Sequence, residues 1–157
     1  MGATASLHSL SSDTCEAFED LAESYWPTGE EPEPFSCSFD KEWHMLHFLL
    51  TGTAAGTDHP LGILVERGPQ MEVVAEECRA ISPDEMQEFH NTLGEQALEI
   101  LRQRFDWGAM TSAGVYGASS SDEFEGAFDY VTQSIPDLQK FASNCVKHKC
   151  GALVIIA

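Results

Sequence analysis

Basic residues are scarce in this sequence. Its 157 residues include 8 Lys and Arg but 26 Asp and Glu, which gives a formal net charge of −18 at pH 7. Residues 1–40 contain no Lys or Arg at all. A surface of this sign repels nucleic acid and anionic membranes, and it speeds encounters with basic molecules. We therefore expect neither a nucleic-acid nor a membrane partner, and a basic protein is the partner that the charge favours.

Long apolar runs, paired cysteines and a secretory leader are also missing. No stretch approaches the ~18 apolar residues that a membrane span requires. The first residues lack the basic start and apolar core of a signal peptide. The five cysteines are odd in number and form no C-x-x-C pair, so reduced thiols are the simpler interpretation. Together these absences favour a cytoplasmic protein.

An apolar fraction of 43% in a chain of this length predicts one folded domain over residues 1–157. Apolar spacing predicts strands at residues 35–39, 61–65, 73–81 and 152–156, the last of them central in its sheet. It predicts helices after the caps at 11–13, over 41–51, from 83 to about 105 with a break at Gly94, around 124–131, and from 134–137 to a stop at Gly151. This pattern predicts an α+β fold, with a small mixed β-sheet wrapped by about six helices.

Residues 40–52 read D-K-E-W-H-M-L-H-F-L-L-T-G and form the most informative segment. A helix here would be apolar on nearly every side, which places it inside the protein. His44 and His47 are three residues apart and would be neighbours on that helix. Three interpretations are open: each imidazole bonds a carbonyl or carboxylate in the core, the pair borders a ligand pocket, or it chelates a metal. Two nitrogens alone make a poor metal site, so we predict no metal and no cofactor.

The block Asp40-Lys41-x-Trp43-His44-x-x-His47-Phe48-Leu49-Leu50-Thr51-Gly52 resembles the signature of the YfbM-like family, small bacterial proteins of unknown function. The Ala-Ile-Ser-Pro-Asp-Glu run at 80–85, the Val115-Tyr116 pair and the apolar end of the chain fall in matching order. The residue after the tyrosine is usually proline in that family, whereas it is Gly117 here. The resemblance implies an α+β fold and a bacterial, cytoplasmic setting. It implies no activity.

Two classes of function are open. The first is a non-enzymatic acidic protein that binds or neutralises a basic partner, such as a cationic protein or toxin. The residues predicted for its acidic face are Glu16, Glu19, Asp20, Glu23, Glu30, Glu31 and Glu33. The second is a small-ligand-binding or enzymatic domain, and the residues predicted for its pocket are Lys41, Trp43, His44, His47 and Tyr116.

Catalytic motifs do not favour the second class. No serine lies in a G-x-S-x-G elbow. The adjacent Glu76 and Glu77 would point to opposite faces of a strand, so no pair of carboxylates is placed for acid–base chemistry. The sequence therefore favours a protein that is not an enzyme, and it specifies no oligomeric state.

Overall fold

The computed structural model describes residues 3–10, 36–65, 70–73, 76–118 and 122–157. The first predicted helix lies outside these residues. Within them, no helix has the length and apolar character needed to cross a membrane.

Within the described residues, five strands form one sheet. They are β1 (Ala5–Leu10), β2 (Ser36–Phe39), β3 (Gln70–Val73), β4 (Glu76–Ile81) and β5 (Gly151–Ile156). Their order across the sheet is β2-β1-β5-β4-β3, and all four pairings are antiparallel. The predicted α+β class is confirmed, and so is the central position of the last strand, which is buried from Gly151 to Ile155. Strand direction is corrected, because the described sheet is antiparallel rather than mixed.

Two strand predictions need correction. Residues 61–65 form turns instead of a strand. Two of their carbonyls bond to a side chain and not to another strand. The buried guanidinium of Arg79 donates to the carbonyls of Ile63 at 3.2 Å and Leu64 at 2.8 Å. Residues 73–81 are not one strand, since Val73 in β3 pairs with Glu76 in β4. Strand β1 was not predicted at all, although its burial alternates over the first four residues as in a half-exposed strand.

Six helices fall within the described residues. They are α1 (Trp43–Thr51), α2 (Pro83–Gly94), α3 (Leu98–Arg104), α4 (Trp107–Ser112), α5 (Ala127–Thr132) and α6 (Ile135–His148). The predicted start of α2 is confirmed, because the Ser82 hydroxyl accepts the Glu85 N–H at 3.1 Å. The predicted break at Gly94 is also confirmed. Helix α6 ends earlier than predicted, with Lys149 in the left-handed conformation at φ 53°.

Helix α1 lies inside the protein, as its composition predicts. Met45, Leu46, Leu49 and Leu50 are all buried. Gly52 closes the helix with a left-handed φ of 79°, and its N–H donates to the carbonyl of Phe48. The surrounding elements therefore bury α1 on several sides, and its polar side chains need partners within the protein.

Candidate functional site

The two histidines of α1 fasten neighbouring main chain. The Nδ1 atom of His44 accepts the N–H of Tyr116 at 2.9 Å, so the ring proton lies on Nε2, which donates to the Ala54 carbonyl at 2.8 Å. His47 donates from Nε2 to the Ala55 carbonyl at 3.0 Å. These bonds match the interpretation in which each imidazole bonds a carbonyl within the core.

His47 is the more deeply buried of the two histidines, with no exposed surface. Its Nδ1 has no hydrogen-bond partner among the described residues. The pKa of His47 is lowered from 6.5 to about 4, chiefly because the ring is buried; the bond to the Ala55 carbonyl opposes this shift, and the charge of Arg79 contributes to it. The imidazole is therefore neutral near pH 7, and it is a packing group with one committed donor.

Trp43 and Tyr116 both hydrogen-bond to Ala3, which lies two residues before the start of β1. The indole Nε1 of Trp43 donates to the Ala3 carbonyl at 3.1 Å, and the Tyr116 hydroxyl accepts the Ala3 N–H at 2.8 Å. The Trp43 ring stacks on His44 at 5.1 Å between centroids and lies 6.1 Å from the Tyr116 ring. Four of the five predicted pocket residues are thus brought together, whereas Lys41 is exposed.

The backbone conformation at Gly117 explains why this position is not a proline. Its φ is 90°, which proline cannot adopt because its ring fixes φ near −65°. A Cβ atom at this position would lie 3.0 Å from Met45 Cε and 3.3 Å from the Lys41 carbonyl oxygen. The glycine therefore permits a close approach between the segment after Tyr116 and the start of α1.

A buried carboxylate at the start of α1 was not predicted as a site residue. Glu42 is 1% exposed, and its Oε1 accepts the Ser134 hydroxyl at 2.7 Å. Its Oε2 has no hydrogen-bond partner within the described residues. The signal was an acid inside an otherwise apolar block, and its bond joins the start of α1 to the residue that precedes α6.

The thiols that the structure describes are unsuited to nucleophilic chemistry. Cys37, Cys145 and Cys150 are buried and free. Burial, with the charges of Asp137 and Glu42, raises the pKa of Cys37 to about 12, and burial also raises the pKa of Cys145 and Cys150. Attack and metal ligation both need a thiolate, which a raised pKa disfavours.

A metal site is the next possibility to consider for the described residues. No group of three or more His, Cys, Asp or Glu among the described residues is placed to hold a metal ion.

The residues of the predicted acidic face, which all lie between positions 16 and 33, fall outside the described residues.

An open cleft of about 530 Å³ shares no lining residue with the group formed by Trp43, His44, His47 and Tyr116, which we call the α1 cluster. We call the cleft the aromatic–acidic cleft. Its lining residues are Arg102, Phe105, Glu123, Phe124, Glu125, Gly126, Ala127, Phe128 and Asp129. Volumes of this size are typical of ligand sites. Its walls combine ring faces with three carboxylates, and that combination suits a cation.

Edge-to-face ring contacts support one wall of the cleft. Phe105 meets Phe128 at 5.6 Å between centroids and 89° between planes. Phe124 meets the buried Trp107 at 5.6 Å and Tyr130 at 5.8 Å. Phe124 itself is 44% exposed and precedes α5, although the sequence predicts a helix around residues 124–131. Its ring is part of the lining of the cleft.

Sequence reasoning missed this cleft for an identifiable reason. The segment 122–129 reads D-E-F-E-G-A-F-D, and its apolar spacing predicts a helix that includes both phenylalanines. Gly126 has a left-handed φ of 82°, and α5 begins only at the next residue, Ala127. An aromatic residue between two glutamates, followed by glycine, was the available signal for an exposed ring.

Comparisons with known proteins agree with the fold. The model of the family described as Domain of unknown function (DUF1877) matches residues 1–155. Among solved structures, the chain is similar to a protein of unknown function, YfbM from Escherichia coli, with a TM-score of 0.72 and 20% sequence identity. That similarity covers 98% of this chain and 99% of the other. A comparison with curated proteins found no match. The chain therefore belongs to the DUF1877 family, and the resemblance to the YfbM-like proteins is confirmed.

Proposed function

We propose that the protein is a non-enzymatic, acidic cytoplasmic protein that binds a basic protein partner. The observation that carries the proposal is the aromatic–acidic cleft, where Glu123, Glu125 and Asp129 surround exposed aromatic surface. The net charge of −18 supports the same partner class, because it attracts cations over distances of about a Debye length. Apolar rings at the centre of a polar rim are typical of protein interfaces.

The alternative, a ligand pocket around the α1 cluster, draws no support from the geometry. The ring nitrogens that make bonds in Trp43, His44 and His47 reach main-chain atoms of this protein. A ligand that bonded those atoms would have to break contacts that position Ala3 and the segment after α1. The proposal of a binding protein therefore uses a different surface.

A titration tests the proposal. We would measure binding of a peptide of alternating arginine and glycine by calorimetry, with a peptide of glutamine and glycine as the uncharged control. We expect one saturable site per chain for the arginine peptide, with affinity that falls steeply between low salt and about 0.3 M salt. The uncharged peptide should not bind. Binding that ignores salt, or no saturable binding, would contradict the proposal.

A further inference from the structure

One cation already occupies the aromatic–acidic cleft. The guanidinium carbon of Arg102 lies 4.3 Å from the centroid of the Phe128 ring. Its Nη2 is 3.9 Å from Asp129 Oδ1, which is too long for a hydrogen bond. The side chains of Arg102 and Asp129 are 66% and 82% exposed, so their attraction is weakened by solvent. The face of Phe128 thus accepts a guanidinium, but the resident one is loosely bound.

The cleft has more negative charge than Arg102 can neutralise. Its lining contains three carboxylates and one guanidinium, a formal balance of −2. The surplus consists of Glu123 and Glu125, both exposed on the segment before α5. A second cation that enters the cleft would gain these carboxylates as partners together with the ring face.

From this geometry we infer that the aromatic–acidic cleft receives an arginine side chain of the basic partner, which displaces Arg102 from the Phe128 ring. The inference rests on the proposed function and specifies its contact point. Arginine fits better than lysine, because its planar guanidinium stacks on a ring and offers a fork of donors to carboxylates at the same time. The contact between Phe105 and Phe128 keeps the ring in place when Arg102 leaves.

The choice between arginine and lysine gives the first test. We would titrate the arginine–glycine peptide and a lysine–glycine peptide of the same length and charge into the full chain. We expect the arginine peptide to bind about threefold to tenfold more tightly, because only the guanidinium stacks. Phe128→Leu should remove most of that preference while both peptides still bind through charge.

Substitutions of exposed residues give the second test. Glu123→Gln with Glu125→Gln should weaken the arginine peptide about tenfold, since both carboxylates lie in the cleft. The matched control is Glu88→Gln with Glu95→Gln, which makes the same charge change at exposed acids of α2 and its end, outside the cleft lining. The control should weaken binding no more than about threefold.

Arg102→Gln gives the most discriminating result. If Arg102 competes with the incoming arginine, its removal should tighten binding of the arginine peptide about threefold. Removal of a positive charge far from the cleft should give a smaller gain in affinity. The matched remote change is Lys140→Gln on the exposed side of α6. A larger gain for Arg102→Gln than for Lys140→Gln supports the displacement, and equal gains overturn it.

The outcomes separate the two proposals. Binding of both peptides with equal affinity, and equal effects of the cleft and α2 pairs, would overturn arginine recognition in the cleft, whereas binding of a basic partner through the net charge of −18 would stand. Failure of the wild-type chain to bind either peptide would overturn both. Circular dichroism of each variant checks that the fold is unchanged, which the high exposure of the substituted polar residues favours.

Discussion

The buried imidazole of His47 should make this protein less stable in acid, and His47→Gln should remove that part of the pH dependence. His47 has no exposed surface, and its Nδ1 lacks a hydrogen-bond partner among the described residues. A proton on that nitrogen would create a buried charge without an acceptor, which is why burial lowers the pKa from 6.5 to about 4. Glutamine can keep the donor to the Ala55 carbonyl but does not titrate.

The direction and size follow from the two pKa values. In the unfolded chain His47 binds a proton below pH 6.5, whereas in the folded protein it does so only below about pH 4. Between these values the unfolded state binds more protons, so the free energy of unfolding falls as the pH falls through that window. The full contribution is at most about 3 kcal/mol. It is present above pH 6.5 and has been lost below about pH 4.

Urea denaturation followed by circular dichroism, from neutral pH down to about pH 4, measures this contribution. Near neutral pH we expect His47→Gln to be less stable than the wild type by about 2 kcal/mol, because the ring no longer fills its site. The free energy of unfolding of the variant relative to the wild type should then rise by up to about 3 kcal/mol as the pH falls. Acidic residues titrate in both proteins and cancel in the difference.

Thr51→Val is the matched control for this experiment. The Thr51 hydroxyl donates to the His47 carbonyl at 2.8 Å, so its loss perturbs the same region without a titratable group. The control should be destabilised by about 1 kcal/mol at every pH. If the His47→Gln curve runs parallel to the wild-type curve as the control does, the proposed burial of a neutral imidazole is wrong.

Three further predictions concern stability and can be measured by denaturation near neutral pH. Tyr116→Phe should cost about 1 kcal/mol, because the Ala3 N–H loses its acceptor, and an unchanged midpoint would contradict that bond. Gly117→Ala should cost about 1–2 kcal/mol through its φ of 90°, and Gly114→Ala, at φ 71° with open space around it, isolates the backbone part of that cost. Ser134→Ala should cost about 1–3 kcal/mol, because the buried Glu42 carboxylate loses its hydroxyl donor, whereas Ser134→Thr should retain much of it.

Local signals predicted the parts of the fold that local physics determines. Helix α1 follows from an apolar block closed by Gly52, and the start of α2 from Ser82 with a proline next to it. The central position of β5 follows from a strand that is apolar on both faces. Helix α4 could also have been predicted, since Asp106 caps it by accepting the Ala109 N–H at 3.0 Å.

Long-range contacts determine what could not be predicted. Residues 61–65 have the composition of a strand, but a guanidinium from β4 bonds two of their carbonyls. The site shows the same limit. The spacing of His44 and His47 predicts neighbours on a helix, and only the folded chain supplies the carbonyls of Ala54 and Ala55. The aromatic–acidic cleft depends on Arg102 and Phe128, which are far apart in the sequence.

A substitution in the block at residues 40–52 should therefore affect stability without affecting binding at the aromatic–acidic cleft. His44→Ala leaves the Ala54 carbonyl and the Tyr116 N–H without partners, so we expect a loss of about 2–4 kcal/mol in the free energy of unfolding. Because His44 does not line the aromatic–acidic cleft, the affinity for the arginine peptide should stay within about twofold of wild type, measured where the variant is folded. A variant that keeps its stability but loses ligand binding would instead place function at α1. The block that relates this chain to its family would then carry activity as well as architecture, and the cleft would lose its role.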